Sequence, residues 1–598
     1  MLMMNRFKRA PAAGGKPLPR FEIPRVLRAL VRTREWGLLL VGAGVGVLAG
    51  AVVAAMSFAV NGLHVLLFAL PPGERLSAQT GIDPLLAVAV PVVGGLLFGL
   101  ALHAVKRWRP AQEVDPIEAN ALHGGRMSLL GSAIVALQTI WSSGVGASVG
   151  LEAGYTQAAS GIASWVGRAF NVRRRELRVL VGCGAAAAIA GAFGAPLAGA
   201  FYAFELVIGS YSVATLAPVG IAAVVGYLTA NLFYPVSLGV GTLYTSRVTG
   251  HDLAIAGTVG LAAAIVGIAL MRGVALGETM LNRLRVPLFL RPALGGLVVG
   301  LFALVSPQIM SSGHGAIHIA AVLNNPLRVV GILFLLKALA SIVSLGSGFR
   351  GGLFFSSLLM GVLGGRLFAD ALALLWPPYA PDPQVYAIIG MGALSVSVIG
   401  GPLTMIFIAL ETTGDLWLTT AVLVAVIISA QVTREAFGYS FATWRFHLRG
   451  ESIRSAADIG WIRELTVRRM MRTDVRTVPA HTTLLRFRTV YPLGSATDAV
   501  AVDEDKNYAG LVHVAEAHAV ELDEATPVRE ILHYPHTVLT PGMTVKEAVA
   551  AFDAAEAESL AVLQSPENRR VVGLLTEAHA LRRYSEQLEL RRRDILGE

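Results

Sequence analysis

Gly194-Ala195-Pro196-Leu197 is followed by Glu205, nine residues after the proline, and Gly400-Gly401-Pro402-Leu403 is followed by Glu411 at the same spacing. Each stretch is preceded by a Gly-x-Gly, at Gly182/Gly184 and at Gly390/Gly392. The prolines lie 206 positions apart, and the same shift carries Gly146 onto Gly352 inside a second glycine-rich segment. Two matches at one offset argue for an internal repeat over coincidence in a Gly/Ala-rich chain. In a membrane protein such a repeat marks two related halves, often inverted, with the ligand site at their interface.

The composition places the repeat in a bilayer. Of 598 residues, 54% are hydrophobic and 15% charged, against roughly 25% charged in a soluble protein. Apolar runs such as Trp36–Leu70 and Pro84–Val105 exceed the roughly 20 residues a spanning helix needs, and the windows up to residue 434 suggest about ten to fourteen membrane segments. Residues 1–35 are Arg-rich with no apolar core, so a cleavable signal peptide is not expected, and the tail should stay cytosolic. A basic stretch with Trp444, Arg445, His447, Arg449 and Arg454 closes the membrane zone, 36–450, whose halves fall at about 36–245 and 250–440. From 456 to 598 the composition turns soluble, and this domain too should be cytosolic. The +9 net charge is largely a topology signal, and no nucleic-acid-binding motif accompanies it. The single cysteine, Cys183, excludes an intramolecular disulfide and a cysteine-based metal cluster, and no cofactor is implied.

The chemistry concentrates in Gly144-Val-Gly-Ala-Ser-Val-Gly-Leu-Glu-Ala-Gly154. Its small residues permit irregular backbone, and a helix beginning there would aim unpaired N–H groups at an anion. Gly346-Ser-Gly-Phe-Arg-Gly-Gly-Leu-Phe-Phe-Ser-Ser357 offers the same from the other half. Two such helix starts make an anion site without a buried cation. Glu152, a carboxylate at membrane depth, is a functional candidate: it can compete with the anion for the N–H groups, or take a proton and swing away. The plainer reading is a structural helix cap.

These residues resemble the CLC chloride channels and transporters over about 36–450. The family's gating motif, Gly-(Arg/Lys)-Glu-Gly-Pro, matches Gly150-Leu151-Glu152-Ala153-Gly154 in its first Gly and its Glu. A second motif, Gly-Gly-(Ile/Val)-Phe-x-Pro, resembles Gly351-Gly352-Leu353-Phe354-Phe355-Ser356. The resemblance implies a polytopic all-α fold of broken, inverted helices and a homodimer in the inner membrane. It makes Glu152 the gate of a voltage- or pH-gated chloride pathway, or of an anion/proton exchanger. Gly150, Leu151, Ala153, Leu353, Phe354 and the pore tyrosine, Tyr439, would surround the anion. Tyr439 otherwise reads as an aromatic-belt residue.

The chain departs from the family twice. The Gly-Ser-Gly-Ile-Pro motif falls on Gln112-Glu113-Val114-Asp115-Pro116, so the anion-binding serine becomes Glu113, which must be neutral, turned away, or beside a displaced anion. The inward-facing proton acceptor expected after Glu205 is Leu206. Glu205 and Glu411, symmetric in the repeat with Pro196 and Pro402, read as structural.

The soluble domain resembles a tandem CBS pair, a small α/β module, with copies at about 465–522 and 526–584. Met470-Met471…Thr477-Val478 parallels Ile531-Leu532…Thr537-Val538, and Gly510-Leu511-Val512 parallels Gly573-Leu574-Leu575. The Asp that holds ribose in the adenine-nucleotide binders of that family is Glu516 in copy one and His579 in copy two, and His513 replaces a Thr. That argues against nucleotide and for a packing or dimerisation module. Arg591–Arg593 reads as a solvated helix face.

Other classes fit less well. There is no His-Glu-x-x-His and no Walker loop. Gly146-x-Ser148-x-Gly150 spells a hydrolase elbow but lies in the membrane zone rather than after a strand. A membrane-anchored ligand sensor would keep an intact ligand motif in its soluble domain, and a cation transporter regulated by its CBS pair would need several carboxylates at membrane depth.

Overall fold

The computed structural model describes residues 35–109, 113–235, 248–317, 325–379, 381–438, 440–447, 465–565, 567–583 and 585–586. Residues 1–34 of the basic tail, Tyr439, Arg449, Arg454 and Arg591–Arg593 lie outside them. The chain divides into two compact units, a larger helical one and a smaller α/β one formed largely by residues after 451.

The helical unit runs α1 (Glu35–Phe68), α2 (Pro84–Trp108), α3 (Pro116–Leu122), α4 (Leu129–Gly144), α5 (Glu152–Ala169), α6 (Arg174–Phe193), α7 (Pro196–Tyr202, continued by a π turn Ala203–Ile208) and α8 (Val213–Phe233). The second half follows with α9 (Gly250–Arg283), α10 (Arg291–Ala303), α11 (Leu327–Gly346), α12 (Phe354–Leu375), α13 (Pro383–Ile399), α14 (Pro402–Thr413), α15 (Leu416–Ala436) and α16 (Phe441–His447). Among the described residues, 8 helices are long and apolar enough to cross a membrane, and α4, α7, α10, α13 and α14 are shorter apolar pieces. The local chemistry sets their ends. Asp83 accepts from the Leu85 and Leu86 N–H groups ahead of Pro84, and Lys106 and Arg107 sit in the last turn of α2. Gly194 (φ 68°) and Gly400 (φ 86°) end α6 and α13 in the left-handed region, and a proline two residues on begins the next helix.

The halves contact each other reciprocally. Leu197 and Ala198 donate their N–H groups to Glu411, while Leu403 and Thr404 donate theirs to Glu205. Phe201 stacks on Phe407 with centroids 4.5 Å apart. Gly150 and Gly352 exchange backbone hydrogen bonds, 2.8 Å one way and 3.1 Å the other.

This corrects the register read from the sequence. Gly352 faces Gly150, not Gly146, and the glycine segments lie 202 positions apart, as the ends of α4 at Gly144 and α11 at Gly346 confirm. The prolines lie 206 apart because α12 has 22 residues where α5 has 18. The Gly-x-Gly pairs serve packing: a Cβ at Gly184 would strike the Ala159 carbonyl of α5 at 2.6 Å. Small residues let membrane helices approach closely where no hydrophobic force joins them.

The α/β unit holds α17 (Val467–Met470), β1 (Thr477–Pro479), α18 (Leu484–Val490), β2 (Asp498–Val502), β3 (Tyr508–His513), α19 (Val514–Ala517), α20 (Val545–Ala555), β4 (Ser559–Leu563) and β5 (Val571–Thr576). Strands β1 and β2 are parallel and β2–β3 antiparallel; Leu539 bridges Val562 in parallel and β4–β5 is antiparallel. Each repeat is thus strand, helix and hairpin. The leading segments are exchanged: Val467 and Met470 pack with Leu539, Val545 and Leu560, while Val528 and Ile531 pack with Val478, Phe487 and Val512.

Candidate functional site

Leu151 ends the irregular glycine segment, and Glu152 is the first residue of α5. Its side chain reaches across to the other half. Glu152 Oε1 accepts the N–H of Phe354, the first residue of α12, at 2.5 Å. The carboxylate therefore stands where the positive end of the other half's helix dipole would hold an anion. A Cβ at Gly150 or at Gly352 would overlap this carboxylate, so both positions must be glycine for it to seat. Glu152 is 5% exposed, and its Oε2 is buried without a hydrogen-bond partner.

Two cavities lie beside this segment, and only the second reaches Glu152 itself. One is lined by Leu151 and Phe355 with His64, Arg75, Ser311 and His314. The other, ≈ 120 Å³, is lined by Glu152, Ala153, Leu353 and Phe354 together with Glu113 and Tyr202. Of the residues singled out from sequence, Gly150, Leu151, Glu152, Ala153, Leu353, Phe354 and Glu113 come together here. Pro196, Glu205, Pro402 and Glu411 form the reciprocal caps instead, and Tyr439 lies outside the described residues.

Glu113 enters the cavity in an arrangement the sequence reading did not include. Its carboxylate lies against Gly131 of α4, with the Arg109 guanidinium 3.5 Å away. Leu206 lines the same cavity, so the position expected to hold a proton acceptor presents an apolar surface. Sequence reasoning did not single out Lys337, a buried lysine 0% exposed in α11. Its ammonium donates to the Ile309 and Ser311 carbonyls at 3.0 and 2.9 Å.

Sequence reasoning also missed Tyr202 and Arg350, both lining the Glu113 cavity. Tyr202 had a signal: its repeat mate, six residues after Pro402, is the apolar Ile408.

In the α/β unit, His513 Nδ1 lies 2.5 Å from Asp498 and His533 Nε2 lies 2.5 Å from Glu516. The copy-one groups that would meet a ribose are thus occupied with neighbours. In copy two, Thr576, His579 and Arg582 line a cavity with Arg472.

Residues 94–434 match the family model described as voltage gated chloride channel, and residues 528–586 match the CBS domain. The voltage-gated ClC-type chloride channel ClcB of Escherichia coli is 30% identical over 413 residues, covering 66% of this chain and 95% of that protein. A slow cyanobacterial Cl⁻/H⁺ antiporter superposes with a TM-score of 0.61 at 24% identity, covering 69% of this chain and 97% of its own. A CLC-type fluoride/proton antiporter gives 0.55 at 23%, covering 67% and 96%. The chain belongs to the voltage gated chloride channel (CLC) family, a multi-pass membrane protein followed by a small α/β CBS region. The sensor and cation-transporter alternatives are not favoured.

Proposed function

We propose that this chain moves chloride or a similar small anion across the inner membrane, with Glu152 as a pH-responsive gate. The observation that carries the reading is the Glu152 carboxylate seated on the Phe354 N–H at the wall of a cavity lined by Leu353, Phe354 and Glu113. When ionised, Glu152 occupies the anion's place; when neutral it loses its hold on the helix dipole and yields that place. The backbone donors at Leu353 and Phe354 then face the anion, with Gly150, Leu151 and Ala153 opposite, and Tyr439 is read as a further neutral donor.

Leu206 supports channel-like or loosely coupled flux over strict exchange, since an aliphatic group carries no proton. Exchange is the second reading. It is favoured by Glu113, a protonatable group in the same cavity as Glu152. The remaining assignments are a homodimer with one pathway per chain, cytoplasmic termini, a tandem CBS module within 456–598, and no adenine nucleotide in its first copy. Liposome reconstitution with chloride efflux and proton movement followed together tests the reading.

A further inference from the structure

Lys337 has no place in the gate described above, yet it is among the largest fully buried side chains. It lies in the middle of α11, whose span has a mean hydropathy of 2.3. Among the described residues its ammonium donates only to the Ile309 and Ser311 carbonyls, and no carboxylate pairs with it. An ammonium withdrawn from water this completely is costly unless some negative charge answers it.

Its surroundings point to what that charge is. Ser341 and Ser344 follow Lys337 at i+4 and i+7, so the three share one face of α11. That face meets the glycine segment leading to the gate. Ser148 Oγ lies 3.1 Å from Ser341 Oγ, and the Ser148 N–H donates to Ser344 Oγ at 2.9 Å. The turn Lys337 holds is stitched to the same segment: Ser311 donates its N–H to the Gly146 carbonyl, and Ser143 and Ser311 hydroxyls pair at 2.8 Å. Ser311, Ser312 and His314 of that turn line the Leu151-side cavity, and Gly313 approaches the ammonium within 3.4 Å of where its Cβ would be. The glycine segment that this face touches leads directly into the Glu152 carboxylate at the start of α5. The ionisable groups on the Leu151-side cavity are His64, Arg75, Tyr155, Tyr234 and His314, none of which is a carboxylate.

We propose that Lys337 is the resident cation of the anion pathway, balanced by the Glu152 carboxylate when the gate is closed and by the transported anion when it is open. The inference rests on the gating reading above and adds a fixed positive charge to its backbone donors. Ion exchange at the gate then leaves the local charge unchanged, because one anion replaces another in front of the same ammonium.

The test uses full-length protein and chloride itself, with binding measured by calorimetry in detergent and flux in liposomes. Lys337→Gln keeps hydrogen-bond donors for the two carbonyls but removes the charge; Lys337→Met removes both. Both should weaken chloride binding by at least roughly tenfold, the scale of one screened charge. Glu152→Gln alone should tighten chloride binding, and Glu152→Gln/Lys337→Gln should reverse that gain. The double variant buries neither charge, so it keeps the test usable if Lys337→Gln does not fold. Chloride binding in the double variant as tight as in Glu152→Gln overturns the proposal. So does wild-type binding in Lys337→Gln beside lost binding in Lys337→Met, which would reduce Lys337 to a tether. A wild type that passes no chloride refutes the gating reading instead.

Discussion

Glu205 and Glu411 each cap the other half of the protein. Glu205 takes the Leu403 and Thr404 N–H groups at 2.8 and 2.9 Å, and Glu411 takes those of Leu197 and Ala198 at 2.8 and 2.9 Å. Each carboxylate satisfies orphan donors at the start of a helix that begins with a proline, where the chain's own preceding residues (Ala195, Gly401) offer no side-chain cap.

These carboxylates should therefore be stabilising and not part of the gate. Glu205→Ala and Glu411→Ala should each lower stability by about 1–2 kcal/mol, the usual range for a lost cap, read as a fall in melting temperature in detergent. The pH profile of chloride flux in the surviving protein should match the wild type. An altered profile with unchanged stability would place Glu205 in proton transfer.

Gly150 and Gly352 should be as necessary as the gate they seat. Alanine at either would push the Glu152 carboxylate off the Phe354 N–H, because the new Cβ overlaps the carboxylate rather than fixed backbone. Both variants should flatten the pH dependence of flux, as Glu152→Gln should. A pH response like that of the wild type in Gly352→Ala would show that Glu152 does not close the pathway from this seat.

The repeat was legible because it is written in residues with few substitutes: a proline that starts a helix, a glycine that ends one, and a carboxylate nine positions on. The candidate gate residue was legible for the same reason, since glycines around a lone carboxylate have few other uses in a membrane. The four-residue difference between α5 and α12 was not, because a helix extended by about one turn keeps its periodicity. Lys337 was hidden as one charge in an apolar run; its signal was the Lys337–Ser341–Ser344 stripe. The Arg109–Glu113 pair was visible as an i,i+4 spacing, but nothing in sequence aimed it at the cavity. The exchanged leading segments of the α/β unit could not be read, because both copies carry the same pattern and the sequence does not say which core each one joins.

Glu113 should be tolerated beside an anion because Arg109 answers its charge. Arg109→Gln should lower chloride flux severalfold, and Arg109→Gln/Glu113→Gln should recover it. No recovery would mean that Arg109 acts on the anion directly. Under an applied chloride gradient, proton movement that disappears in Glu113→Gln would identify this residue as the carrier and favour exchange. Proton movement unaffected by the substitution would require a different second proton site.

Tyr508 lends the α/β unit an alkaline limit. The side chain is 2% exposed and donates its hydroxyl to the Tyr534 carbonyl at 3.0 Å, and burial pushes its phenol above the ordinary value. The neutral form is the one the fold holds, so this contribution is complete below the unfolded value near pH ~10 and falls as pH rises toward the folded value. Tyr508→Phe should cost about 1 kcal/mol at neutral pH and remove that part of the alkaline loss, measured by limited proteolysis of the α/β unit across pH 8 to 11.

The most direct test loads liposomes containing the full-length chain with chloride and follows efflux across a pH series, for wild type and for Glu152→Gln. The account predicts chloride efflux that rises in the wild type as Glu152 takes up its proton. It predicts efflux of similar size in Glu152→Gln with no dependence on pH. Folded wild-type protein that passes no chloride, or a Glu152→Gln variant that follows pH as the wild type does, would contradict it.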